Sequence, residues 1–119
     1  MSTTTSKRFR LPGSAIRPLA EGRGSCIASE RITVDGKGVG FMYRESPDDP
    51  ADSGWRFFSG EETQEYAGQP ANFALYDVNT IANYDPSIIS FIDAPCGSAF
   101  GRGEDEKLSP EEMPSDADA

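Results

Sequence analysis

The chain of 119 residues contains no histidine and only two cysteines. The missing histidine excludes Ser-His-Asp triads, Cys-His pairs and nearly every zinc site except an all-thiolate or carboxylate one. Cys26 and Cys96 are too few for a four-thiolate site within one chain. No apolar run approaches the ~20 residues that cross a bilayer. The opening stretch MSTTTSKRFRLPGSAIRPLAEGRG lacks the apolar core of a secretory signal. Both thiols are therefore expected to be reduced and buried, in a cytoplasmic protein. Apolar residues are sparse as well. At 36% they are low for a compact domain of this length, which assigns part of the chain to tails.

Recognisable site motifs are also missing. GKGVG (36–40) matches neither phosphate-loop pattern, and a strand rather than a helix follows it, so a turn is the better reading. CGSAFG (96–101) is not a nucleophile elbow. An EF-hand frame starting at Asp49 places Gly54 correctly, but puts Ala51 and Gly60 where carboxylates are required. No motif sets a nucleophile beside a base, so the chain is expected to be no enzyme and to hold no metal or cofactor.

Acidic residues are what the sequence has in plenty, 20 of them against 11 basic ones, for a net charge of -9. They are unevenly placed. Residues 1–23 carry five basic side chains and one acid; residues 103–119 carry seven acids and one lysine. The balance disfavours nucleic acid, whose phosphates need Lys and Arg, and suits a basic protein partner. Acidity also serves plain solubility, which needs no partner. Both charged ends lack a sustained apolar period and read as solvated tails, disordered over 1–23 and 103–119.

The ordered domain is expected over 24–102. SCIAS (25–29) is a short strand. Asp35-Gly36 marks a turn before a strand in which Phe41 and Tyr43 share one face, with Met42 and Arg44 on the other. SPDDPADSG (46–54) is an exposed loop. WRFFS (55–59) is a central strand, with Trp55 and Phe57 on one side and Arg56 and Phe58 on the other. Ser59 and Glu62 fit a capping box opening a helix over 60–67, stopped at Gly68. NFALYD (72–77) alternates as a strand. Asp77 and Asp85 are helix caps, the latter followed by Pro86. The fold class is α+β: a small, mostly antiparallel sheet with short helices packed on it, flanked by disordered tails. The expected core is Phe41, Tyr43, Trp55, Phe57, Phe58, Phe73, Leu75, Ile81, Ile88 and Ile92.

The segments Tyr43-Arg44-Glu45, Asp52-Ser53-Gly54-Trp55-Arg56-Phe57-Phe58-Ser59-Gly60, Tyr76-Asp77, Asn79-Thr80-Ile81, Asn83-Tyr84-Asp85-Pro86 and Gly97-Ser98-Ala99-Phe100 follow in order. Together they resemble the bacterial immunity protein 33 domain of polymorphic-toxin systems, formerly classed as a domain of unknown function. The resemblance covers nearly all of 24–102 and neither tail. It implies a cytoplasmic protein that neutralises a cognate toxin domain by stoichiometric binding, without catalytic residues. It carries over no toxin-contact residues. A regulatory or scaffold binding module without a toxin is the alternative.

Candidate partner-binding residues come from charge. Asp48, Asp49 and Asp52 precede the aromatic strand and Glu61, Glu62 and Glu65 follow it, so they are expected to converge as an acidic patch. Arg44 and Arg56 either pair internally with Asp77 or Asp85 or meet the partner. The polar positions Asn79, Asn83 and Ser87 are a second place for an interface.

Overall fold

The computed structural model describes residue 11 and residues 13–113. Its strands are β1 (Ser25–Ser29), β2 (Phe41–Arg44), β3 (Asp52–Phe58), β4 (Phe73–Asp77), β5 (Ala99–Arg102) and β6 (Leu108–Pro110). Its α-helices are α1 (Glu30–Thr33), α2 (Gln64–Ala67) and α3 (Val78–Tyr84), with 3-10 turns that include Pro86–Ser90. The strands form one sheet in the order β4-β1-β3-β2-β5-β6. β1 runs parallel to β3, and the other neighbours are antiparallel. The fold is α+β, as the alternation of short strands and capped helices predicts.

Local chemistry sets the element ends. The Asp77 carboxylate accepts from the Asn79 amide and opens α3. Asp85 accepts from the Ser87 amide, and Pro86 supplies the first turn. That turn is 3-10 rather than the α-helix its apolar spacing predicts. Ser59 and Glu62 form the expected capping pair: the Glu62 carboxylate accepts from the Ser59 amide at 2.8 Å and from its hydroxyl at 2.9 Å. The helix nevertheless starts later, because Thr63 caps α2 and Gly60 sits at φ 93°. Gly68 ends α2 as expected.

β3 is central, and its parity divides its aromatic rings. Trp55 and Phe57 enter the side covered by α3 and the Pro86–Ser90 turn, where Ile81, Ile88 and Ile92 are also buried. The Trp55 indole donates to the Ile92 carbonyl at 2.9 Å, which satisfies its one polar group. Register places Met42 beside Phe57 and Phe100, so Met42 joins this side and is fully buried.

Phe41 and Tyr43 therefore lie on the opposite face with Phe58 and Phe73, and all four are only half-buried. Leu75, expected in the core, is 69% exposed, because it lies on that same uncovered face of the edge strand β4. The helices decide which face becomes core, and β2 is apolar on both.

Gly54 explains part of the Asp-Ser-Gly-Trp run. It adopts φ 91°, and a Cβ there would come within 2.2 Å of the Glu45 carbonyl oxygen. It also lies where the β1–β3 register shifts, with Ser25 opposite Asp52 but Ile27 opposite Arg56.

The ordered domain reaches past 24–102 at both ends. β6 lies in the stretch expected as an acidic tail: it pairs with β5 and buries Leu108. The acids of 104–106 sit in the connecting hairpin turn, where charge stays in water, and one apolar side chain is enough to dock the strand. At the other end Asn79 Oδ1 accepts from the amides of Leu19 (2.8 Å) and Ala20 (2.7 Å), and Asn79 and Asn83 both donate to the Arg17 carbonyl. Ala20 is buried. The remaining tail residues, 1–10, 12 and 114–119, lie outside the described residues.

Candidate protein-binding face

The face of the sheet opposite α3 is built from rings. Tyr43 and Phe58 stack with centroids 5.9 Å apart and planes inclined by 11°. Phe41 packs against both, Phe58 meets Phe73 edge-on at 5.7 Å, and Phe73 meets Tyr66 of α2 at 6.0 Å. The Arg31 guanidinium lies over the Tyr66 ring, 4.6 Å from its centroid, and closes one end of the row.

Shallow depressions run along these rings. One of about 410 Å³ is lined by Phe41, Tyr43, Phe58, Gly60, Glu62 and Ala67. A second, of about 300 Å³, shares Tyr43, Phe58 and Ala67 with the first and extends past Glu45 and Arg56 to Ile27 and Phe73. A third, of about 280 Å³, continues over Ile27 and Phe73 to Leu75 and Pro70. Together they form one open trough across four strands.

An ion-pair triad centred on Arg56 sits within it. Arg56 donates from Nε to Glu45 at 2.6 Å and from both terminal nitrogens to the Asp52 carboxylate at 3.0 and 2.9 Å. Its side chain is 10% exposed, against 21% for Asp52 and 44% for Glu45. The Arg56 hydrogen bonds hold the Asp52 carboxyl below its usual range, and the Asp52 hydrogen bonds push Arg56 further up. Burial would raise the Glu62 carboxyl, but hydrogen bonds from the Ser29 hydroxyl and from backbone amides outweigh it and hold Glu62 below its usual value.

The six acids expected as one patch are not brought together. β3 separates Asp48, Asp49 and Asp52 from Glu61, Glu62 and Glu65 by roughly 20 Å of strand. Asp52 and Glu62 serve the structure through Arg56 and the Ser59 turn. Glu61 pairs with Lys37 at 3.5 Å, a cation supplied from outside both stretches. Asp48, Asp49, Glu61 and Glu65 are exposed.

The arginines pair differently from expectation. Arg44 donates to the carbonyls of Ser53 and Ala94 and lies over Trp55, while Arg56 takes Glu45 and Asp52 rather than Asp77 or Asp85. The β2–β3 hairpin puts Glu45 within reach and Asp52 lies four residues earlier on β3 itself, whereas Asp85 pairs with Arg102. Asn79 and Asn83 are occupied by the N-terminal segment, and Ser87 bonds Asp85 and Arg102. The helical face is thus used internally.

Cys26 is buried, with its thiol pushed up by burial first, and Cys96 is exposed rather than buried as expected. No group of three or more Cys, Asp or Glu side chains that could hold a metal occurs among the described residues. No helix among them is long and apolar enough to cross a membrane. The trough residues Tyr43, Phe58 and Phe73 were legible as aromatics but assigned to the core. The signal for their exposure is Arg56, a charged neighbour of matching parity.

The model of the immunity protein Imm33 domain matches residues 26–111, a span that runs from β1 through β6. No curated protein and no solved structure gives a significant match.

Proposed function

The chain belongs to the immunity protein Imm33 family, and from that premise we propose that it neutralises a cognate toxin domain by binding it stoichiometrically, without catalysis. The observation that carries this reading is the family match over the whole sheet, open face included. The partner is a protein, and basic, since a carrier of net charge -9 is steered to positive surfaces. The exposed acids Asp48, Asp49, Glu61 and Glu65 speed the encounter, while Asp52 and Glu62 hold the fold. The protein acts in the cytoplasm of a bacterial cell of a polymorphic-toxin system, where its toxin would otherwise strike its own producer.

The test is co-expression with the toxin domain encoded beside its gene. Host growth is expected to recover, and calorimetry with the purified domain is expected to show one chain bound per toxin. Recovery without a stable complex would sink the binding mechanism. Absence of both would favour a scaffold module.

A further inference from the structure

We propose that the trough on the open face seats one arginine or lysine side chain of the partner protein, its alkyl stem across the Tyr43–Phe58 stack and its charge between Glu45 and Glu62. The inference rests on the reading that the chain binds a protein, and it adds where and by what chemistry.

The floor is suited to an alkyl stem. Tyr43 and Phe58 lie nearly parallel and only half-buried, so apolar ring surface remains at the open face. Long cationic side chains lay their methylenes on such surfaces and keep the charged head at the polar rim.

Charge selects the visitor. The charged residues along the two overlapping depressions are Glu62, Glu45 and Arg56. Arg56 is fully engaged: besides its carboxylate bonds it donates to the Trp55 carbonyl at 3.0 Å. With Asp52 and Glu45 it forms a triad carrying one surplus negative charge, and Glu62 adds another. A partner cation would be drawn by the surplus negative charge at Glu45 and at Glu62, whereas a partner carboxylate would meet net repulsion. Attraction of a cation to an aromatic face adds to the ion pairing.

The same row of rings already holds a cation. Arg31 lies over Tyr66, which reaches the Tyr43–Phe58 stack through Phe73.

Ala67 offers the test, because it is exposed on α2 and lines both depressions. Ala67→Lys sets a cation at the trough in cis. Ala67→Glu adds similar bulk with the opposite charge. The toxin domain that the rescue experiment identifies serves as probe. Ala67→Lys is expected to weaken binding at least tenfold more than Ala67→Glu, with circular dichroism unchanged. Glu45→Gln with Glu62→Gln, which keep an acceptor oxygen, are expected to weaken it tenfold or more and to reduce its salt dependence.

Equal losses for the lysine and glutamate variants, or none in either, overturn the proposal while rescue by the wild type leaves the immunity reading intact. Self-association of the wild type that Ala67→Lys abolishes makes the occupant a second copy and also overturns it. If no toxin domain binds, the immunity reading fails by itself. The trough is then decided by titrating the labelled full chain with N-acetyl-arginine methylamide and its citrulline isostere. Amide shifts at Tyr43, Glu45, Phe58 and Ala67 with arginine alone support the site. Their absence, or equal shifts with both probes, overturns it.

Discussion

On its helix-covered side the sheet closes over Met42, Trp55 and Phe57, each at or near zero exposure; on its other side it leaves Phe41, Tyr43, Phe58 and Phe73 partly open. The two faces are comparably aromatic and differ in what lies on top. One receives α3 and the Pro86–Ser90 turn. The other receives α2 at its margin and an ion-pair triad in its middle. Aromatic content therefore records how much apolar surface a strand carries, while the covering elements decide how much of it is removed from water.

The sharpest way to break this comparison is to remove one ring from each side. Trp55→Ala is expected to cost about 3–5 kcal/mol, through lost burial, a cavity and an orphaned Ile92 carbonyl. Phe58→Ala is expected to cost about 1–2 kcal/mol, since only part of the ring is withdrawn from water. Denaturant unfolding followed by circular dichroism measures both. Equal costs would mean that the open face is a second core.

Next in size is the triad that lies on the open face. Arg56→Met leaves Asp52 and Glu45 without their cation. The expected cost is about 2 kcal/mol, less than for a fully buried pair because both carboxylates keep some contact with water. Its pH dependence carries a sign. Asp52 and Glu62 are held below their ordinary values of 3.8 and 4.5, so their stabilisation is complete above those values and is lost as pH falls through the lowered ones. Arg56→Met should flatten the Asp52 part of this acid loss and leave the Glu62 part. A variant with the wild-type acid profile would show that Arg56 is not what lowers Asp52.

Leu108→Ala should cost about 1–2 kcal/mol, because Leu108 is the one buried side chain that β6 adds to its backbone pairing with β5. A variant unfolding at the wild-type temperature would return residues 103–113 to the status of a dispensable tail. The smallest effect belongs to Leu75→Thr, expected within about 0.5 kcal/mol of wild type, because Leu75 is 69% exposed. A larger loss in the purified protein would mean that the open face is covered in solution.

The elements that were legible in the sequence are the ones set by neighbours in the chain. SCIAS is β1 residue for residue, Asp77 and Asp85 cap through their side chains, and Gly68 stops α2, although at φ -79° rather than in the left-handed region glycine favours. Parity within β3 was legible too, which placed Trp55 and Phe57 together. What was not legible depends on distant partners. Phe41 and Tyr43 were assigned to the core because β2 is apolar on both sides, and only the helices arriving some forty residues later choose between them. Arg56 met Glu45 because the hairpin register lays β2 beside it, which no local spacing encodes, while Asp52, four residues earlier on β3 itself, is a local partner. β6 escaped notice because its single buried leucine is surrounded by charge and proline.

The clasp made by Asn79 and Asn83 has a consequence for the order of synthesis. The Leu19 and Ala20 amides leave the ribosome about 60 residues before the side chain that receives them. At ~5–20 residues per second, that interval lasts roughly 3–12 s. Throughout it the segment has no Asn79 to close on, so the clasp can form only after α3 has been made. A nascent chain arrested before Asn79 should therefore be cut readily by trypsin after Arg23, and the completed chain should resist. The first-made part of this protein is fastened among the last.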